Sequence, residues 1–250
     1  MFPTLDAHAH LDPSRSPEDF STSGAVLAMS LSLDMAEVCL ERSDPLIAWG
    51  VGCHPRFLRF QEDFEIRRFR ALAERSAIIG EIGLDMGSRV PLEKQVKIFR
   101  QILEKVAGMP RLVSIHSYQA TDLVLMELER CPVAIPVLHW WTGNVAETKK
   151  AVELGCYFSI HSAVARHSKF RLHVPPERIL VESDHGMNDP PAAIPCRVEW
   201  VEYLAAQQYG MEVKELRQLV YQNLARIFKE TNTIQLLPEP FVKLLQPSLL

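Results

Sequence analysis

Eight short apolar runs alternate with amphipathic stretches through the first three quarters of the chain, and this alternation limits the fold to very few choices. The runs are Pro3 to His8, Gly24 to Met29, Leu46 to Cys53, Ala77 to Ile82, Arg111 to His116, Ala134 to His139, Cys156 to Ile160 and Arg178 to Val181. Several are continuous and lack in–out alternation, as expected of parallel strands covered on both faces. Helical stripes separate them. Phe64 to Arg75 aligns Ile66, Phe69, Leu72 and Ala73, and Leu92 to Val106 aligns Val96, Phe99, Leu103 and Val106. Asp122 to Glu129 and Glu147 to Leu154 are shorter versions. Eight strand–helix units in about 190 residues match a compact (β/α)8 TIM barrel, an α/β fold.

Past Asp184, the prolines between Asp189 and Pro195 argue against regular structure. Extra C-terminal helices follow, near Val198 to Tyr209 and Val213 to Lys229. The expectation is one domain over residues 1–250, with 47% hydrophobic and 23% charged residues. No cationic start leads into an apolar run and no stretch spans a bilayer, so a cytoplasmic protein without membrane contact is expected. Five cysteines without a CxxC pair speak against a disulfide scaffold or zinc ribbon. The net charge of −4 excludes a strongly basic nucleic-acid coat.

In such barrels the reacting groups stand at the C-terminal strand ends. His8, His54, Glu81, His116, His139 and Asp184 all fall at or just past one. His8 and His10 alternate along a strand and so share a face. Glu81, flanked by glycines in GEIGLD, is a carboxylate able to bridge two cations. The expected arrangement puts His8, His10, Glu81 and Asp184 on one divalent ion, and Glu81, His116 and His139 on a second. Mixed nitrogen and oxygen donors suit Zn²⁺ or Mn²⁺, with Mg²⁺ as a third choice. Asp184 is the candidate to hold and deprotonate the attacking water, with Glu81 as the catalytic bridge.

The motifs DAHAHLD, GCHP, GEIGLD, SIHS, HWWTG and ESD, with NLARIF near the C-terminus, resemble the TatD family of metal-dependent deoxyribonucleases within the amidohydrolase superfamily. The resemblance covers nearly the whole chain. It implies a TIM barrel, a two-metal centre and hydrolysis of phosphodiester bonds, with 3′–5′ exonuclease action on DNA in the family. The substrate-facing positions depart from the pattern: Arg56 follows GCHP, Tyr118 stands where many members have arginine, and DHGMNDPP replaces the usual loop after the last motif. Glu81 occupies the place where other amidohydrolase branches use a carboxylated lysine.

Candidate substrate contacts are His54, Arg56, Tyr118, Trp140 and His185, with His54 open to a phosphate or to an extra metal. Of Trp140 and Trp141, one is expected to stack a base or wall the pocket and the other to pack under the loop, with a structural role for both as the alternative. Arg59, like Arg56, is a candidate phosphate donor, while Arg166, Lys169 and Arg171 form a run that either steers a polyanion or is a solvated helix face. The expected partner is DNA or another phosphodiester, acted on by a monomer. Three alternatives stay open: an amidase, esterase or deacylase using the same ions, a non-catalytic member of a complex, and a defence-associated nuclease component, since LHWWTG and LGCYFSI resemble stretches of such relatives.

Overall fold

A computed structural model describes residues 2–20, 24–187 and 197–249. Eight parallel strands appear in chain order. They are β1 (Leu5–Ala9), β2 (Ala25–Ala28), β3 (Ile47–Trp49), β4 (Ile78–Asp85), β5 (Leu112–Tyr118), β6 (Ile135–Leu138), β7 (Tyr157–Ile160) and β8 (Ile179–Val181). Each pairs with the next except across two seams. At the first, Val51 donates to the Ile78 carbonyl at 3.1 Å and accepts from the Gly80 amide at 2.9 Å. At the second, the Asp184 amide donates to the His8 carbonyl at 3.0 Å, and the His10 amide to the His185 carbonyl at 2.6 Å. These pairs close the sheet into a (β/α)8 barrel. The second seam also fixes two expected metal-ligating segments, 8–10 and 184, side by side.

The helices are α1 (Leu33–Leu40), α2 (Leu58–Glu62), α3 (Ile66–Ala73), α4 (Leu92–Val106), α5 (Thr121–Arg130), α6 (Val145–Glu153), α7 (Lys169–His173), α8 (Glu199–Tyr209), α9 (Val213–Glu230) and α10 (Glu239–Leu245). Capping sets several boundaries. The Glu65 side chain accepts from the Arg67 and Arg68 amides, so α3 starts after the expected Phe64. A capping box between Asn144 and Glu147 starts α6 two residues before Glu147. The C-terminal tail is packed, with Phe241 and Leu245 of α10 fully buried.

β3 stops well short of the expected Cys53. A Cβ at Gly52 would lie against the Glu81 backbone, so glycine is what lets the chain pass β4 here while Val51 and Cys53 bond to it at 2.9–3.1 Å. That close approach brings the 52–55 turn directly beside Glu81. The expected proline-rich passage Asp189 to Pro195 lies outside the described residues. No described helix is long and apolar enough to cross a membrane.

Candidate metal centre

Glu81 is the hub of the barrel mouth, and its two oxygens face different groups of imidazoles. Oε1 lies 2.6 Å from His116 Nδ1 and 2.9 Å from His139 Nε2. Oε2 lies 3.0 Å from His10 Nε2, 3.2 Å from His54 Nε2 and 3.3 Å from His8 Nε2. Asp184 Oδ1 sits 3.7 and 3.6 Å from His8 and His10 Nε2. His8 and His10 do share a face, their Nε2 atoms 3.3 Å apart. The other ring nitrogens are anchored: His10 Nδ1 donates to the Met29 carbonyl at 3.1 Å, and His8 Nδ1 meets Ser114 Oγ at 2.8 Å. An imidazole tied through Nδ1 presents Nε2 in a fixed direction, as a metal ligand requires.

This arrangement fits divalent ions. Among the described residues, the donor groups His8–His10–Asp184, His10–His54–Glu81 and Glu81–His116–His139 each gather ligand atoms close enough for one ion, and so does His8–His139–Glu182. Glu81 Oε2 and Asp184 Oδ1 are buried and lack hydrogen-bond partners, which is costly unless a cation satisfies them. Burial pushes His8 and His54 down to about 4, so both present neutral nitrogens at physiological pH. Burial alone would raise Glu81, but His54, His139, His116 and His8 hold it well below the ordinary carboxylate range. Burial opposes charge on His139 too, yet Glu81 and Glu182 keep its imidazolium well above its usual value. Burial, with smaller effects from neighbouring charges, pushes Asp184 up to about 7.

Several supporting residues carried no role in the sequence reading. Glu182 Oε1 accepts from the Trp140 amide at 2.7 Å and lies 3.3 Å from His139 Nδ1. It therefore couples a ligand to the cavity wall. Asp85 lies 3.2 Å from His116 Nε2 and accepts from Arg56 Nε at 3.0 Å. Asp6 accepts from the Ser183 amide at 3.0 Å, holding the segment that carries Asp184. Each sits inside a quoted motif, but its partner is a distant strand end that spacing does not reveal. A Glu182→Gln variant keeps an acceptor for the Trp140 amide and loses the charge beside His139. Its affinity for Zn²⁺ should drop about 10–100-fold by calorimetric titration.

Above the hub is a cavity of about 260 Å³, lined in part by His54, Arg56, Tyr118, His139, Trp140 and Asp184. Of the five candidate substrate contacts, four line it. His185 is absent from the described lining, and its backbone serves the barrel seam instead. His54 belongs to a donor group with His10 and Glu81 as well as to the lining, so both roles open to it from the sequence have a counterpart here. Trp141 is fully buried and donates to Thr148 Oγ1 at 2.9 Å, whereas Trp140 stacks on His161 with centroids 3.8 Å apart. Lys169 corrects an expectation. Its side chain turns inward and its ammonium donates to the Gly143 carbonyl, so it is not a steering charge. Arg59 is highly exposed, 3.6 Å from Asp63. A larger groove of about 670 Å³ between Phe2, α9 and α10 lies away from these ligands, and its Arg217 and Lys243 are tied to Glu202 and Glu239.

Comparison with known proteins follows the same lines. The family described as TatD related DNase matches residues 5–229. An Escherichia coli K12 protein named uncharacterized metal-dependent hydrolase YcfH is 26% identical over 215 residues, 78% of each chain. The 3′-5′ ssDNA/RNA exonuclease TatD of Pectobacterium atrosepticum is 26% identical over 213 residues, 76% of this chain and 81% of that protein. The crystal structure of YJJV, a TatD homolog from Escherichia coli K12, superposes with a TM-score of 0.76 at 21% identity, over 90% of this chain and 98% of that one. At that identity the superposition speaks for the barrel alone.

Proposed function

Because the chain belongs to the family of TatD related DNases, whose model spans residues 5–229, we propose that it is a two-metal hydrolase of nucleic-acid phosphodiester bonds that trims single-stranded DNA from the 3′ end. It is a metal-dependent hydrolase of that family. The observation that carries the finer reading is Glu81, whose two oxygens address two separate groups of histidines. His8, His10 and Asp184 with one oxygen, and His116 and His139 with the other, would hold a pair of ions. When bound, such ions polarise a phosphoryl oxygen and lower the pKa of a water between them.

The protein's own groups supply the rest. Asp184 Oδ1 is buried, unpartnered and aimed at the His8–His10 pair, so it orients the attacking water and accepts its proton. A cavity of about 260 Å³ is at the small end of ligand sites, in keeping with one terminal unit of a strand. Trp140 and Tyr118 wall that unit. Arg56 is already paired with Asp85, so phosphate neutralisation falls mainly to the ions.

The test is turnover by protein reconstituted with Zn²⁺, Mn²⁺ or Mg²⁺, on single-stranded DNA labelled at the 3′ or the 5′ end, beside a panel of amides and esters. The expected result is early release of the 3′ label with the 5′-labelled strand shortening stepwise. Turnover of a carbonyl substrate without any DNA cleavage would overturn the assignment in favour of an amidase or esterase.

A further inference from the structure

A cavity that holds one terminal unit leaves the rest of a strand to cross the barrel rim, and the rim carries a surface suited to it. Trp200 and Tyr203, in the first turns of α8, stack with centroids 5.2 Å apart at 15°. Both are solvent-exposed, at 54% and 44%. The Arg166 guanidinium lies over Trp200, 5.9 Å from the ring centroid. Two adjacent exposed aromatic rings form an apolar patch of the kind that marks an interaction site, and the guanidinium over one face adds a positive charge to it. The other three tryptophans are accounted for: Trp49 donates to Asp44, Trp141 to Thr148, and Trp140 stacks on His161.

We propose that Trp200, Tyr203 and Arg166 form an outlying platform where single-stranded nucleic acid stacks the bases that lie beyond the metal centre. The inference rests on the nuclease reading above. Three observations favour this occupant. First, in a (β/α)8 barrel a helix that follows a strand begins at the mouth; α8 follows β8, and Arg166 stands in the loop after β7, its carbonyl accepting from Gln208 of α8 at 3.1 Å. Second, its Arg166 loop is tethered to the cavity wall. His161, which stacks on Trp140 of the cavity wall, begins the same loop, and five residues at ~3.6 Å put Arg166 within about 18 Å. Third, the local charge suits a polyanion although the chain is acidic overall. Arg166 faces the rings, and Glu202 of the same helix is bound through both oxygens by Arg217 at 2.9 and 2.5 Å. Glu199, exposed in the same turn, is the opposing charge. Aromatic faces accept any base, so the platform would favour length over sequence.

The experiment measures binding of fluorescein-labelled phosphorothioate oligo(dT), which resists cleavage, to the full metal-loaded chain at 2, 4, 8 and 12 nucleotides. Wild type should bind more tightly as length grows. Trp200→Ala/Tyr203→Ala should lose about 10-fold or more on the longer strands and nothing on the dinucleotide. Its circular dichroism and DNA-cleaving rate on dinucleotides should match wild type. If that variant does not fold, Arg166→Ala gives a second reading: a salt dependence shallower by about one phosphate contact. Equal length dependence in wild type and variant overturns the platform and leaves the nuclease reading standing. A wild type that neither binds nor cleaves DNA overturns both. A wild-type dimer that the variant makes monomeric overturns the platform as well, since the rings would then be a self-association face.

Discussion

Replacing Glu81 with alanine should abolish hydrolysis, lowering the rate about 1,000-fold or more, and should remove high-affinity binding of both ions together. The size follows from the several kcal/mol of charge stabilisation that a two-metal site supplies, at 1.36 kcal/mol per tenfold. The coupling follows from geometry. Oε1 is within 2.9 Å of His116 and His139, and Oε2 within 3.3 Å of His8, His10 and His54, so on the proposed reading one side chain would serve both positions. A ligand shared in this way cannot be lost from one position alone. Metal content by mass spectrometry and end-labelled DNA turnover read the two effects separately. DNA cleavage that survives the substitution would sink the mechanism.

The second large effect is expected at Asp184, with opposite signs for activity and stability. Asp184→Asn keeps an oxygen near His8 and His10 but cannot accept a proton, so turnover should fall about 100–10,000-fold, the range of general-base catalysis. Binding at the Glu81–His116–His139 position should be unchanged. In the metal-free protein, burial raises the Asp184 carboxyl to about 7, against 3.8 for the free side chain. Between those values the folded state holds a proton that the unfolded chain has released, so wild-type stability falls as pH rises through the window. The full penalty is present above about pH 7. Asparagine removes it. Metal-free Asp184→Asn should therefore be more stable than metal-free wild type by about 2–4 kcal/mol at pH 8, and the two should converge near pH 4 in urea titrations. A metal-free variant less stable than wild type at pH 8 would contradict this account of the buried carboxylate.

Asp184 also illustrates how far the sequence could be read. Its place in ESD, past the last apolar run, marks it as a strand-end carboxylate. The eight runs themselves were legible because strands buried on both faces must be apolar throughout. What sequence did not show was set by contacts between segments distant in the chain. The passage of residues 51–53 along β4 beyond the end of β3 depends on Gly52 having no Cβ to strike the Glu81 backbone. Lys169 reads as one more cation in a basic run, yet it turns inward to the Gly143 carbonyl, a partner 26 residues away. Glu182 and Asp85 were in plain view within their motifs, but their value lies in reaching His139 and His116, which are 43 and 31 residues away in the chain. His54 could be placed at the mouth from GCHP, but its approach to Glu81 needed the close passage at Gly52.

The most direct test of the central claim is anomalous diffraction from crystals grown with Mn²⁺ or Zn²⁺. Two peaks roughly 3.5–4 Å apart, one on each side of the Glu81 carboxylate, are the expected result. The first should contact His8, His10 and Asp184, the second His116 and His139. A single fully occupied peak, or two peaks of which only one touches Glu81, would contradict it.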